Sequence, residues 1–496
     1  MELSAEQILH AVYGRYLVEP RDADALVRGI TWDSREISPE CLYVALPGAR
    51  VDGASFVASA VADGAAGAIV EHDLDDAALS AARDAGAFVI LVDDAAESVT
   101  NLACAWRSHL SGRVIGITGS TGKTTTKNLV RDVLATSFST VATKANQNNE
   151  LGVPRTVLNA ASDTEAVVVE IGMRGAGQIT SLCTFVQPQW GLITNVGESH
   201  IELLGSRENI AHAKSEMFSA LPDETGVAFV NAADDFAPMT VSYAQLAERH
   251  VACVLFDGTP DAAEHIARFT AQRDRCPAVW AEDIALDDTG RPSFTLCASG
   301  FGAFGQTDDV VRAVCALELR GVHNVSNACS AAAVGYAAGI PLVDCARALK
   351  AARPESGRQS IVATESGITV IDDAYNANSD SMRAALSTLS ALSVSGKRVA
   401  VLGDMGELGS FAEDCHRRVG AYAAKHADVL VCVGELARSI ADAAREAGMP
   451  AERVHAFDTC DEALAFLKKT LVSGDAVLVK ASHFMEFGRI VEGLVR

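Results

Sequence analysis

The sequence predicts an α/β protein built from three α/β domains, and two observations support this. Short β-branched runs alternate with alanine-rich helical stretches along most of the chain, which is the pattern of βα units in layered folds. With 496 residues, the chain is also too long for one hydrophobic core. The alternation starts afresh near residues 110 and 352, and we therefore expect domains at 1–109, 110–352 and 353–496.

Charge and cysteine content narrow the possible partners and location. A net charge of −23 argues against binding nucleic acid or an anionic membrane, which needs a basic face, but leaves room for a small basic pocket. The 12 cysteines show no C-x-x-C pair, and the N-terminal segment has no basic region followed by an apolar core. We expect a cytoplasmic protein with reduced thiols.

The longest uncharged run, "GVHNVSNACSAAAVGYAAGIPLV", is long enough to be tested as a membrane span. It contains His323, Asn324, Asn327 and Pro341, and its alanine and glycine content makes it only weakly apolar. We expect a buried helix here and no stable membrane insertion.

The predicted elements follow one another in βα order. In the first domain the strands are "GAAGAIVE" and "AFVILVDD". In the central domain a strand begins at Val114, leads into a glycine loop and a helix, and is followed by strands at 166–172, 190–197 and 226–235. Residues 241–310 are less regular, and "RPSFTLCASGFGAFG" predicts a small antiparallel insertion. The strands "ITVIDDA", "RVAVLGD", "VLVCVG" and "AVLVK" predict a Rossmann-like C-terminal domain.

The stretch "VIGITGSTGKTTTKNLV", residues 114–130, has the chemistry of a phosphate-binding loop. The usual P-loop pattern requires a glycine where this chain has Ile117. Gly119 and Gly122 nevertheless allow backbone N–H groups to surround an anion, and the following helix points its N-terminus at the same place. Lys123 supplies a charge for the β- and γ-phosphates, and Thr124 supplies a hydroxyl for Mg²⁺. The alternative is a strand–turn–helix connection with an incidental lysine.

Three further residues are candidates for the same site. Glu170 ends a valine-rich strand, where the ligands of parallel sheets lie, and a carboxylate there suits Mg²⁺. The alternative for Glu170 is a solvated strand end. His200 follows the strand "GLITNV", and Lys214 lies within a predicted helix. A helical lysine is usually exposed, and the residue pattern alone assigns no role to His200 or Lys214.

The nucleotide class is narrowed by what the sequence lacks. It has no N-K-x-D motif for guanine and no H-R-D or D-F-G set of a protein kinase. From the residues alone, a bare P-loop ATPase stays possible.

Four motifs resemble the Mur ligase family, the ATP-dependent amide-forming enzymes of peptidoglycan precursor synthesis. The segment "TGSTGKTT", residues 118–125, matches the family's T-G-x-x-G-K-T-[ST] loop, in which Ile117 is not anomalous. The segments "NQNNELGVPRTVL", "DDAYNANSDSMRAAL" and "VLGDMGELG" resemble the branch that adds D-alanyl-D-alanine to UDP-N-acetylmuramoyl-tripeptide. The D-N-P-R motif of diaminopimelate-adding relatives is absent.

This resemblance implies an activity and a set of substrates. The chain would use ATP to join D-alanyl-D-alanine to UDP-N-acetylmuramoyl-tripeptide through an acyl phosphate, as a monomer with a P-loop-type central sheet. The alternatives are a sister Mur-type or folylpolyglutamate-type ligase, a P-loop ATPase without ligase activity, and a binding module that has lost catalysis.

The resemblance also implies roles for individual residues. Lys123, His200 and Lys214 would be catalytic, with Lys214 carbamylated. Two Mg²⁺ ions would be held by Thr124, Glu170, His200 and the Lys214 carbamate. The nucleotide would contact Gly119, Ser120, Thr121, Gly122, Lys123, Thr124, Thr125, Asn324, Asn327, Arg358 and Asp373. The other substrates would contact Ser34, Arg35, Asn148, Asn149, Asn376 and Asn378.

Two segments depart from the family pattern. "KASH", residues 480–483, stands where the family often has K-G-S-R, so that His483 replaces a permanent cation with a titratable group. In the expected uridine-nucleotide region, "TWDSREISPECLYVALPGARVDG", the adjoining "DGASF" replaces the commoner D-G-H-D-F.

Overall fold

The computed structural model describes residues 1–48, 51–271 and 276–495. It contains three larger β-sheets, and each predicted domain holds one of them. The protein is a mixed α/β fold with mostly parallel sheets, as the βα alternation predicts. The exact domain boundaries stay a prediction. Ala49 and Arg50, within the expected uridine-nucleotide region, lie outside the described residues.

The N-terminal part consists of a five-stranded sheet, a two-stranded ribbon and helices. The sheet order is β2-β7-β6-β5-β4, parallel except for β2, and β1 pairs with β3 in the ribbon. The strands are β1 (Glu2–Ser4), β2 (Arg15–Val18), β3 (Leu26–Arg28), β4 (Ile30–Thr31), β5 (Leu42–Val44), β6 (Gly67–Val70) and β7 (Phe88–Leu91). The helices are α1 (Ala5–Val12), α2 (Val57–Ala62), α3 (Asp76–Ala85) and α4 (Ala95–Arg107).

The central part contains a nine-stranded sheet in the order β16-β15-β14-β13-β12-β11-β8-β10-β9. Its strands are β8 (Arg113–Thr118), β9 (Thr140–Ala142), β10 (Ala166–Glu170), β11 (Trp190–Ile193), β12 (Val227–Asn231), β13 (Ala252–Asp257), β14 (Ala278–Leu286), β15 (Pro292–Ser299) and β16 (Val311–Ala316). Its helices are α5 (Lys123–Leu134), α6 (Gly152–Leu158), α7 (Gln178–Val186), α8 (Ile201–Leu204), α9 (Arg207–Ser219), α10 (Ala237–Tyr243), α11 (Ala262–Thr270), α12 (His323–Ala337) and α13 (Leu342–Ala351).

Strand β8 lies where the chain order of the central sheet reverses, between β10 and β11. Neighbouring residues of β8 enter different cores, Val114 on one face and Ile115 on the other, because side chains alternate along a strand. The sheet is therefore covered on both faces, which explains the continuous apolar runs in its sequence. The carboxyl ends of β8, β10 and β11 meet at one edge, where ligands of such sheets bind.

The predicted antiparallel segment is only partly as expected. Strands β14, β15 and β16 do form an antiparallel meander. It is not a separate insertion, because β14 also pairs in parallel with β13, with Leu255 opposite Ala278. Val279 and Ala281 of β14 enter the same core as Ile115, so the meander extends the central sheet.

The C-terminal part contains a six-stranded sheet in the order β17-β18-β22-β19-β20-β21, parallel except for β17. Its strands are β17 (Ser360–Ala363), β18 (Thr369–Asp372), β19 (Arg398–Gly403), β20 (Val429–Val433), β21 (Val454–Phe457) and β22 (Ala476–Lys480). Its helices are α14 (Ser379–Ala391), α15 (Ala412–Ala423), α16 (Ala437–Glu446), α17 (Cys460–Thr470) and α18 (Gly488–Val495).

The uncharged run forms a buried helix, as predicted. Helix α12 buries Asn324, Val325 and every residue from Ala328 to Ala337 within the core on one face of the central sheet. Among the described residues, no helix combines the length and the apolarity that crossing a membrane requires.

Candidate active site

The glycine loop has the shape that anion binding needs. Gly119 and Gly122 adopt φ angles of 149° and 77°, in the region that favours glycine. A Cβ on Gly119 would lie 1.8 Å from Thr194 Oγ1, so no side chain fits there. The turn is tied to the strand beside it, because the Ser120 N–H donates to the Asn195 carbonyl at 3.0 Å. Helix α5 begins directly after the loop, as predicted.

Lys123 is folded back over this loop. Its Nζ donates to the Gly119 carbonyl at 2.6 Å. Burial lowers the pKa of Lys123, the Glu170 carboxylate raises it, and the Arg358 guanidinium lowers it further. A bound polyphosphate would add negative charge here and so favour the ammonium form of Lys123.

Thr124 and Glu170 meet at the carboxyl ends of β8 and β10. The Thr124 hydroxyl donates to Glu170 Oε1 at 3.1 Å, and Asn148 Nδ2 donates to the same oxygen at 2.8 Å. Glu170 Oε2 is buried and accepts no hydrogen bond from any described residue. A buried carboxylate oxygen beside a hydroxyl is a hard-oxygen donor pair, so these residues fit Mg²⁺. No cluster of three or more His, Cys, Asp or Glu side chains forms a metal site within the described residues.

His200 lies after β11 and contacts the C-terminal part of the chain. Its φ is 65°, and its Nδ1 lies 2.5 Å from Glu407 Oε2. This contact lowers the pKa of Glu407, and the Arg174 guanidinium, 3.5 Å from the same carboxylate, acts in the same direction. Glu407 belongs to the quoted "VLGDMGELG" segment, but the sequence indicated no role for it.

Lys214 is buried, against the usual expectation for a helical lysine. It is only 1% exposed in the middle of α9. Burial and the charge of Lys123 lower its pKa well below the ordinary value, while Asp234 opposes this. Burial also raises the pKa of Asp234 to about 6. Asp234 follows β12 in "GVAFVNAADD", so its position after a strand was a usable signal that the sequence reasoning missed.

A cleft of about 1070 Å³ lies between the central and C-terminal parts. Most predicted site residues line it: Ser120, Thr121, Gly122, Lys123, Thr124, Thr125, Asn148, Asn149, Glu170, His200, Asn327, Arg358, Asp373, Asn376 and Asn378. Gly119, Lys214, Asn324, Ser34 and Arg35 are not part of its lining. The structure thus brings the predicted phosphate and C-terminal residues together with Thr124, Glu170 and His200, three of the four predicted metal ligands.

One end of the cleft combines α12 with the phosphate loop. Asn327 Oδ1 accepts a hydrogen bond from the Thr126 hydroxyl at 3.2 Å. Asn324 lies behind it and accepts from Asn327 Nδ2 at 2.9 Å. Asn324 therefore orients Asn327, and its own contact with the nucleotide stays a prediction.

The C-terminal part supplies cations and an ion pair at the cleft. The Arg358 guanidinium lies 4.3 Å from the centre of the Tyr375 ring. Asp373 forms an ion pair of 2.7 Å with Lys480, whose Nζ also donates to the Asn376 carbonyl at 2.9 Å. Burial raises the pKa of Asp373 although Lys480 opposes this. Lys480 was not predicted as a site residue.

Two of the predicted residues have clear structural roles. Asn378 is the N-cap of α14, because its Oδ1 accepts from the Ser381 N–H at 2.8 Å, and its Nδ2 donates to the Ser199 hydroxyl at 2.6 Å. Asn149 Oδ1 accepts from the Gly152 N–H at 3.0 Å at the start of α6. His483 lines the cleft with its ring 5.6 Å from that of Tyr375.

The residues predicted for the uridine nucleotide lie away from this cleft. Arg35 forms two hydrogen bonds with Asp33, at 2.8 and 2.6 Å, and its side chain is 87% exposed. The Arg35 guanidinium lowers the pKa of Asp33 to about 2. The neighbouring Trp32 packs under the Arg155 guanidinium at 5.1 Å, which joins the N-terminal part to α6. Ser34 and Arg35 are thus on an accessible surface.

Comparison with known proteins gives matches in all three parts of the chain. Three family models match in order: "Mur ligase family, catalytic domain" at residues 26–107, "Mur ligase middle domain" at 117–335 and "Mur ligase, glutamate ligase domain" at 357–483.

Full-length relatives are similar over nearly their whole length. The UDP-N-acetylmuramoyl-tripeptide–D-alanyl-D-alanine ligase of Mycobacterium tuberculosis strain H37Rv is 37% identical, over 100% of this chain and 98% of the relative. The enzyme of the same name from Bacillus subtilis is 32% identical, over 97% of this chain and 95% of the relative. A crystal structure of MurF from Acinetobacter baumannii is 30% identical with a TM-score of 0.80, over 100% of this chain and 99% of that one. From its full-length similarity to these proteins, we conclude that the chain belongs to the Mur ligase family.

Proposed function

We propose that the chain is an ATP-dependent amide ligase that joins D-alanyl-D-alanine to UDP-N-acetylmuramoyl-tripeptide to give the UDP-linked pentapeptide. The observation that carries this proposal is the shared cleft, in which the phosphate loop and the Thr124–Glu170 pair face Arg358 of the C-terminal part. The names of the full-length relatives at 37% and 32% identity support the choice of substrates.

The reaction proceeds in two steps that need different groups from the protein. The tripeptide's terminal carboxylate attacks the γ-phosphorus of ATP, which forms an acyl phosphate and releases ADP. The dipeptide's amine then attacks the carbonyl carbon and expels phosphate, losing a proton as the amide forms. Lys123 and Arg358 offset the repulsion between carboxylate and triphosphate, while the loop N–H groups hold the phosphates in line. Enclosure between the two parts of the chain protects the acyl phosphate from water.

Two Mg²⁺ sites complete the proposal. Thr124 and Glu170 would hold one ion, and His200 with a carbamylated Lys214 would hold the other. Bound magnesium would supply charge neutralisation at the phosphate oxygens. The unpartnered Glu170 Oε2 and the proximity of Thr124 support the first site.

The burial of Lys214 supports its carbamylation. A neutral amine, not an ammonium, forms the N–C bond with CO₂ and releases a proton. Because burial lowers the pKa of Lys214 well below the ordinary value, its neutral form is favoured. The product is an anionic oxygen ligand where an ammonium would repel a cation.

The other predicted residues divide among the substrates. We assign Asn324, Asn327 and Asp373 to the nucleoside of ATP. Asn148 and Asn149 are assigned to the neighbourhood of the γ-phosphate. Asn376 and Asn378 border the entry of the dipeptide. Ser34 and Arg35 are assigned to the UDP-sugar, because a guanidinium fork suits a diphosphate.

We also propose that the enzyme works in the cytoplasm as a monomer. Buried cysteines without disulfide partners, such as Cys329, Cys345 and Cys432, are typical of a reducing compartment.

The experiment is phosphate release by the purified protein with ATP, Mg²⁺ and UDP-tripeptide, comparing candidate amine acceptors and measuring product mass. We expect phosphate release that depends on D-alanyl-D-alanine and a product with the mass of the pentapeptide. Lys123→Ala serves as the inactive control. Phosphate release without any acceptor would support an ATPase instead, and a different preferred acceptor would support a sister ligase.

A further inference from the structure

Two cations that the C-terminal part presents to the cleft are already paired with carboxylates. Lys480 is 2% exposed and forms its 2.7 Å ion pair with Asp373. Arg418 reaches across to Glu198 at 2.7 Å and also contacts Asp414 at 3.1 Å. These side chains are committed to positions within the protein, so they are poor candidates for binding a free anionic group.

The guanidiniums of Arg358 and Arg383, also in the C-terminal part, form no such ion pair with the residues that the structure describes. Among the described residues, Arg358 and Arg383 have no carboxylate oxygen within 4.0 Å, and each lies over an aromatic ring: Arg358 over Tyr375 at 4.3 Å and Arg383 over Tyr422 at 5.1 Å. Arg383 is exposed to the cleft. In a chain with a net charge of −23, a guanidinium at a substrate cleft that forms no ion pair is available to bind a substrate anion.

The two guanidiniums serve different regions of the cleft. Arg358 lies on the nucleotide side, close enough to Lys123 and Lys127 to lower the pKa of both. Arg383 lies on α14, in the group of residues that faces Glu198. ATP therefore accounts for Arg358 and leaves Arg383 for a different anion.

Helix α14 places Arg383 at a defined distance from the phosphate loop. The first turn of α14 rests against the loop, because a Cβ added to Gly197 would lie 2.1 Å from Asp380 Oδ2 and 3.3 Å from Ser120 Cβ. Asp380 and Arg383 are three residues apart, so they share one helix face with Cβ atoms about 5–6 Å apart. A dipeptide spans at most about 7 Å. The distance from the loop end of α14 to Arg383 is therefore within the length of one dipeptide.

The charges on this face match the two ends of a free dipeptide. The Asp380 carboxyl group lies beside the loop, where the acceptor amine must be to reach the activated carboxyl group. Burial and Glu198 raise the pKa of Asp380, while the Arg207 and Arg383 guanidiniums lower it. Arg383 is positive and lies one turn further along. We infer that Arg383 binds the terminal carboxylate of the incoming dipeptide, with Asp380 at its amine end, and so selects acceptors with a free carboxylate. This inference rests on the proposed ligase function.

The test compares two acceptors that differ only at the carboxylate, D-alanyl-D-alanine and D-alanyl-D-alaninamide. The wild-type enzyme should prefer the free carboxylate by about tenfold or more in kcat/KM, the range expected when a charged hydrogen bond is lost. Arg383→Gln should raise KM for D-alanyl-D-alanine by a similar factor and remove the preference, with KM for ATP unchanged. Arg383→Lys should restore part of the preference, because it keeps the charge and loses the fork.

Arg438→Gln is the matched control, because Arg438 is exposed on α16 and pairs with Asp458 away from the cleft. It should keep the wild-type preference. The inference is overturned if Arg383→Gln keeps the full preference for the free carboxylate, or if it raises KM for UDP-tripeptide instead. Failure of the wild-type enzyme to form an amide with either acceptor would overturn the proposed function itself, and the inference with it.

Discussion

The burial of Lys214 affects both the stability of the fold and the reactivity of its amine. A lysine in the middle of a helix is normally solvated, but this one is 1% exposed. Its ammonium form would be costly there, which is why its pKa falls well below the ordinary value of 10.5. The neutral amine that results is both tolerable in the core and reactive towards CO₂.

Lys214→Met should abolish amide formation and leave the free energy of unfolding equal or higher, because an apolar side chain of similar length replaces a buried amine. The pH dependence should change as well. In CO₂-free buffer, where Lys214 is a free amine, the unfolded state binds more protons than the folded state between the lowered folded pKa and 10.5. This residue therefore makes wild-type stability rise with pH through that window. Thermal unfolding from pH 7 to 10 should show that rise in the wild type and a smaller one in the variant.

Lys127→Met is the matched control, since Lys127 is also 1% exposed but donates to the Thr143 and Ala145 carbonyls at 2.7 and 3.1 Å. It should lower the free energy of unfolding by about 1–3 kcal/mol, because two carbonyls lose a donor.

Lys214→Ala should regain part of its activity with a short carboxylic acid if the carbamate acts as a ligand. Full activity of Lys214→Ala without any addition would contradict the assignment.

The strand–loop–helix unit of β8 and α5 is the element on which nucleotide binding depends. Its turn requires a positive φ at Gly119 together with close approach to Thr194. The effects of the positive φ and of the close approach can be separated, because another glycine in the chain has a positive φ without a close neighbour. Gly177 has a φ of 82°, with nothing within 4 Å of an added Cβ.

Gly119→Ala should therefore lose measurable ATP binding, since the new methyl group would overlap the Thr194 hydroxyl at 1.8 Å. Gly177→Ala carries only the backbone strain, about 1–2 kcal/mol, and should bind ATP normally. Isothermal titration of both variants with ATP, alongside denaturant unfolding, measures the difference. Equal ATP affinity in the two variants would show that the close approach at Gly119 is not needed.

At the scale of the molecule, the cleft is held together by polar contacts between the central and C-terminal parts. The segment after β11 carries three of them: Glu198 with Arg418, Ser199 with Asn378, and His200 with Glu407. One short segment therefore connects the catalytic region to the closure of the C-terminal part.

Glu198→Arg should open the cleft, because it places two guanidiniums opposite each other where the ion pair was. Small-angle scattering should give a larger radius of gyration, and kcat should fall. Asp458→Arg is the control, since it reverses a charge in the Arg438–Asp458 pair within the C-terminal part. A radius of gyration that is unchanged in Glu198→Arg would argue that this pair does not hold the cleft closed.

The sequence predicted the α/β class and the loop because these depend on local patterns, and most of the site residues that the family resemblance implies do line the cleft. The strand before the loop, the helix after it and Glu170 at a strand end are all read within a few residues. Contacts between distant segments were missed. Glu407, Lys480 and Arg418 act on residues far away in the chain, and the burial of Lys214 depends on how α9 packs. The antiparallel strands were expected as an insertion because a sequence does not show that β14 pairs with β13.

Transfer of an oxygen isotope measures the central claim most directly. UDP-tripeptide carrying ¹⁸O in its terminal carboxylate is turned over with ATP, Mg²⁺ and D-alanyl-D-alanine, and the released phosphate is analysed by mass spectrometry. If the carboxylate attacks the γ-phosphorus, one ¹⁸O atom moves into each phosphate as the amide forms. Phosphate released without ¹⁸O would contradict activation through an acyl phosphate and with it the proposed ligase mechanism.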